Sequence, residues 1–121
     1  MSSIRGVSLR LIFAAVTNPR IPRLLDFLKA TPDDPFLNHA LALEWIKEGD
    51  DTQAHTLFEK TRQVAPQYVA TYYHLGKLLE RQGVPEAAAT IFEEGLQAAK
   101  AAGDMHSFNE LRGALDEILD Y

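Results

Sequence analysis

Apolar positions recur along the chain at the spacing of helix faces, and glycine or proline divides the segments that carry them. Tyr72, Leu75, Gly76 and Leu79 form one stripe within residues 67–82, since side chains three and four apart share a face. Gly83 ends that segment, and Pro85 opens the next, 84–101, with Ala88, Ile91, Phe92 and Leu96 apolar. Glycine tolerates the backbone that closes a helix, and proline suits the first helical position. Residues 35–48 predict a helix carrying Leu37, Leu41, Trp45 and Ile46, entered at Asp34-Pro35 and left at Gly49-Asp50. Residues 51–64 follow, with Ala54, Leu57 and Phe58 on one side, ending before Pro66. A shorter helix over 21–30 carries Leu24, Leu25, Phe27 and Leu28. Thr31-Pro32 stops it, because the residue before proline is pushed out of helical geometry. Gly103-Asp104 sets off a last helix, 105–119, with Phe108, Leu111, Leu115, Ile118 and Leu119. No stretch alternates as a strand would. The expected fold is all-α, its short connections favouring antiparallel neighbours.

The predicted helices repeat. Leu41, Ala42, Trp45, Ala54 and Phe58 return as Leu75, Gly76, Leu79, Ala88 and Phe92, and the turn at Gly49 returns at Gly83. Small positions stay small and large apolar positions stay large. Glycine inside a helix costs about 1 kcal/mol relative to alanine, so Gly76 implies the close approach of another backbone.

This pattern resembles the tetratricopeptide repeat family, W-x2-L-G-x2-Y, then A-x3-F, then P. One unit reads Tyr72-x2-Leu75-Gly76-x2-Leu79, then Ala88-x3-Phe92; the other reads Asn38-x2-Leu41-Ala42-x2-Trp45, then Ala54-x3-Phe58, then Pro66. Asn38 replaces the leading aromatic, with Phe36 or Leu37 expected to fill its place. Leu79 also replaces an aromatic. Lys100 replaces the closing proline, so the helix over 84–101 is expected to run long. The resemblance implies antiparallel helix hairpins stacked as a short right-handed α-solenoid. Its repeats would be 35–68 and 69–102, with a capping helix at 104–119, inside a repeat domain over 21–121. Phe58 and Phe92 would fill the space between pairs.

Residues 1–20 form a basic, apolar extension or a degenerate helix. Ile4, Val7, Ser8 and Leu11 stand one repeat before Asn38, Leu41, Ala42 and Trp45, so residues 1–34 are a candidate worn unit. The stretch 1–17 is basic, serine-containing and free of acids, as a transit peptide is. Its apolar run of six residues, Leu11–Val16, falls short of the roughly seven to fifteen of a secretory core, and no A-x-A site follows. A terminal helix, or a tail translated from a misplaced start, is the simpler expectation.

Charge narrows the choice of partner. The net formal charge is -5, yet residues 1–23 hold Arg5, Arg10, Arg20 and Arg23 and no acid. The remainder is therefore strongly acidic and would repel a phosphate backbone, which argues against nucleic acid. No run reaches the eighteen or so apolar residues of a membrane span. The absence of cysteine excludes disulfides, thiolate metal sites and a cysteine nucleophile, and fits a reducing cytoplasm.

In the family, the first helix of each pair lines a concave groove. By resemblance, Phe36, His39 and Leu43 would contribute from one helix, with Ile46 further along. Tyr73, His74, Lys77 and Arg81 would come from the next, with Glu80 between the last two, and Asn109 from the end helix. Tyr73, Lys77 and Arg81 share a face at i, i+4, i+8, an aromatic and basic stripe suited to an acidic or carboxylate-ended peptide. The carboxylate clamp of chaperone-binding members is not expected, because His39, Leu43 and His74 stand where it needs lysine and asparagines.

Catalysis has little support. His39, His55, His74 and His106 include no i, i+4 pair, and two histidines meeting across helices make a poor zinc site. Glu93 and Glu94 point in different directions around their helix. There is no phosphate-binding glycine loop and no G-x-S-x-G motif. The expected function is a non-enzymatic, cofactor-free module that binds a protein or peptide. Self-association into a homo-oligomer is the alternative.

Overall fold

A computed structural model describes residues 3–4 and 7–120. Arg5, part of the basic N-terminal charge, lies outside the described residues. Helices dominate: α1 (Leu9–Thr17), α2 (Arg20–Ala30), α3 (Pro35–Lys47), α4 (Asp51–Val64), α5 (Ala70–Arg81), α6 (Pro85–Ala102) and α7 (Met105–Leu119). A small ladder precedes them, in which β1 (Ser3–Ile4) pairs antiparallel with β2 (Val7–Ser8). Ile4, Val7 and Ser8 therefore stand on strands, and the helical register of the repeat does not reach them. The chain forms two compact units, Met1–Leu57 and Phe58–Tyr121, with the boundary inside α4.

The helix ends follow their local chemistry. Asp34 caps α3, its Oδ1 accepting from the Leu37 amide at 3.1 Å, which occupies one of the free N–H groups at the helix start. Gly49, Gly83 and Gly103 take φ of 75°, 79° and 69°, left-handed values that glycine alone adopts without steric cost. After each glycine the next amide bonds back to a carbonyl of the preceding helix: Asp50 to Trp45, Val84 to Leu79 and Asp104 to Ala99, at 2.9–3.1 Å. These are three copies of one helix stop. With Lys100 in the proline position, α6 continues to Ala102, as the sequence implied.

In the first unit Ile21, Leu41, Ala42, Trp45 and Ala54 are buried. Asn38 is buried as well, and its amide donates to the carbonyls of Pro32 at 3.0 Å and Asp34 at 2.9 Å. Phe36, one of the two residues expected to replace the missing aromatic, is 64% exposed; Leu37 is half-buried and Asn38 itself is buried. It holds the preceding loop by hydrogen bonds where an aromatic would hold it by contact.

Among the described side chains of α1, few apolar ones are covered. Ala14 is covered, while Leu9, Ile12 and Phe13 are exposed. Polar contacts fasten this end instead. The Asn18 amide donates to Glu44 at 3.1 Å and Glu48 at 3.2 Å, and Arg20 lies 3.2 Å from Glu44. Arg10 lies 3.3 Å from Asp50, whose other oxygen caps α4 at the Gln53 amide.

In the second unit Phe58, Tyr72, Leu75, Leu78, Ala88, Phe92, Leu96 and Leu111 form the core. A Cβ at Gly76 would lie 2.6 Å from ring atoms of Phe92. The neighbour that needs this space is thus an aromatic ring rather than a backbone, and Phe92 packs inside its own hairpin. Gly95 is equally constrained, because a Cβ there would meet Tyr72 Cβ at 2.6 Å and Leu111 at 3.0 Å. It lets α6 approach both α5 and α7.

Candidate functional site

The helix face expected to bind lies on α5 and α7, which touch within the second unit. Tyr73 is half-buried. Its ring meets His74 edge-on at 5.7 Å and is tilted against Phe92 at 6.4 Å. His74 stacks on Phe58 at 6.2 Å. These ring contacts order the aromatic part of the face.

Burial drives the His74 imidazole below its usual value of 6.5; Glu110 opposes that shift and Arg81 reinforces it. A neutral ring offers one donor and one acceptor rather than a charge. Lys77 sits between carboxylates, 3.3 Å from Glu80 Oε1 and 4.0 Å from Glu117. The Glu80 contact is an ion pair by distance, without hydrogen-bond geometry, since the same oxygen is buried with no hydrogen-bond partner among the described residues. Arg81 and Asn109 are exposed. The stripe is therefore less basic than its sequence suggests, because α7 brings Glu110 and Glu117 to it.

The expected residues of α3 belong to the first unit. Phe36 is exposed, Leu43 is half-buried and His39 is buried, which leaves little of His39 for a ligand. No group of three or more His, Asp or Glu converges as a metal site among the described residues. Nor is any described helix long and apolar enough to cross a membrane.

A hollow of the second unit lies elsewhere. About 550 Å³ in volume, it is lined by Pro66, Tyr72, Glu94, Ala98, Ala101 and Ala102, with Gln67 and Gln97. None of the residues expected to bind lines it. Tyr72 forms one wall, its hydroxyl donating to the Pro66 carbonyl at 2.6 Å. Arg62 joins Glu94 at 2.7 Å and Glu59 at 3.0 Å, and these carboxylates raise its pKa. Only the missing closing proline pointed toward this hollow, since the added turn of α6 brings Ala101 and Ala102.

No protein-family model matches the chain, and no curated protein is significantly similar to it. Solved structures are. A tetratricopeptide repeat domain protein from Salinibacter ruber, in a crystal structure, is 37% identical with a TM-score of 0.70, over 72% of this chain and 97% of that one. A solution structure of a tetratricopeptide repeat domain protein from the same organism gives 38% and 0.69, over 72% and 88%. A protein from Bordetella parapertussis gives 26% and 0.71, over 83% and 87%. The recurring small and aromatic positions, the repeated glycine stops and this similarity agree: the chain belongs to the tetratricopeptide repeat family.

Proposed function

We propose that this chain is a non-catalytic module that docks a peptide segment carrying acidic side chains against the α5–α7 face. Helical repeat modules of this family typically mediate protein interactions, and the proposal gives that role a surface. The observation that carries it is the ordered aromatic group of Tyr73 and His74 beside Lys77 and Arg81. The aromatic rings supply rigid apolar area, and the cations supply directional contacts to carboxylates. Lys77 would exchange a carboxylate of its own chain for one of the ligand, so binding weakens as salt rises. Asn109 contributes an amide from α7. Such docking needs no cofactor, and its setting is the cytoplasm.

A peptide array probed with the wild type and with a Tyr73→Ala/Lys77→Ala/Arg81→Ala variant tests this. The expected result is retention of acidic peptides by the wild type alone, lost in high salt. Equal retention by both would place binding on another surface. Self-association is a second reading, favoured by the apolar side chains left exposed on α1, α2 and α7.

A further inference from the structure

Phe27 and Leu119 belong to apolar stripes of the sequence, yet they are 63% and 66% exposed. Phe27 lies with Arg20, Arg23 and Leu24 around a shallow depression on α2. Arg23 precedes Phe27 by four residues and shares its face. Arg20 is engaged by Glu44, whereas Arg23 forms no ion pair among the described residues. Leu119 lies with Pro85, Ala89, Ile118 and Glu86 around a hollow of about 290 Å³ between the start of α6 and the end of α7. Glu86 likewise forms no ion pair among the described residues. One surface is an apolar projection beside a spare cation, and the other is an apolar hollow beside a spare anion.

We propose that these two surfaces meet between copies of the chain. Phe27 of one copy seats against Ile118 and Leu119 of the next, and Arg23 pairs with Glu86 at the rim. Pairing like with like is disfavoured. Two α2 surfaces would bring Arg20 and Arg23 against their own copies, and two α6–α7 hollows would oppose Glu86 to itself. The charge of the whole chain runs the same way, with a basic stretch at residues 1–23 and an acidic remainder. The contact is heterologous, so each added copy leaves one surface of each kind unused and growth continues unless a ring closes. A contact of a few apolar side chains and one rim ion pair belongs with transient interfaces, which bury less than about 1,200 Å². The inference rests on the self-association reading and shares no residue with the peptide-docking face.

Sedimentation velocity over a wide range of concentration, in low and high salt, tests it. Mass should rise with concentration and fall with salt. Phe27→Ala and Leu119→Asp should each weaken association about tenfold or more, as loss of a central apolar anchor does. Both residues are largely exposed, and melting curves verify that each variant is folded. An equimolar mixture of the two variants should form dimers that do not grow, because one intact contact survives between them. Arg23→Glu or Glu86→Arg alone should weaken association, and the double reversal should restore it. A monomer at every concentration would overturn both the contact and self-association. Association that survives Phe27→Ala and Leu119→Asp, or charge reversal without rescue, would overturn this contact and leave self-association to another surface.

Discussion

Glu44 and Leu78 occupy the same position of two successive repeats, and they hold their units by different physics. Leu78 is fully buried among the apolar side chains of the second unit. Glu44, 4% exposed, is surrounded by Asn18, Arg20 and Lys47 at 3.1–3.5 Å. The first unit fastens α1 and α2, whose buried apolar side chains among the described residues are Ala14 and Ile21, with charge and amide contacts. The second unit closes α5, α6 and α7 on aromatic and aliphatic contacts. One helix scaffold thus accepts either solution at an equivalent place. The polar one is weaker, because Arg20 and Lys47 remain largely in water, where ion pairs contribute little.

The largest effects should come from that pair of residues. Leu78→Ala removes a buried side chain and should destabilise by roughly 2–5 kcal/mol. Glu44→Ala should cost about 2 kcal/mol, the scale of charge-assisted hydrogen bonds partly open to solvent. Denaturant unfolding checks both values, and a Glu44 variant costlier than the Leu78 variant would reverse the comparison.

Glycines of the second unit sharpen the contrast between packed and open positions. Gly76→Ala should destabilise by roughly 1–3 kcal/mol through overpacking against Phe92. Gly113, on α7, has nothing within 4 Å of an added Cβ. Gly113→Ala should stabilise by about 0.4–1 kcal/mol, by restricting the unfolded chain. Paired melting curves should therefore move in opposite directions.

A smaller effect separates the two loop anchors. Tyr72 donates to the Pro66 carbonyl and Asn38 to the Pro32 carbonyl, each bond reaching back six residues. Tyr72→Phe should cost about 1 kcal/mol. Asn38→Leu should cost more, since it removes two side-chain hydrogen bonds from the loop carbonyls rather than one, and equal values would mean that the two loops do not depend on these bonds in the same way.

Acid should act on the second unit through His74. Its folded pKa lies below the usual 6.5, so the unfolded chain takes up the proton more readily. The stabilisation is complete above 6.5 and is lost as pH falls through the depressed folded value. His74→Gln should flatten that part of a stability–pH profile, and an unchanged slope would assign the acid sensitivity to other groups.

The helices, their glycine stops and the repeat were legible because burial follows the apolar stripes and the stops depend on local backbone chemistry. Asn38 was misread, since an amide in an aromatic slot looks like a defect until the loop carbonyls it reaches are seen. Gly95 went unnoticed because its constraint comes from Tyr72 and Leu111, both distant in sequence. The ladder at Ser3–Ile4 and Val7–Ser8 is too short to show alternation. On the candidate face, the spacing of Tyr73, Lys77 and Arg81 was readable. The Glu117 carboxylate that α7 brings beside Lys77 was not, because it depends on how α7 packs.

Hydrogen exchange of the wild type and of Glu44→Ala tests the central comparison most directly. Amides of α1 and α2 should lose protection in the variant, while those of α5, α6 and α7 keep theirs. Equal loss in both units, or unchanged protection in α1 and α2, would contradict the account.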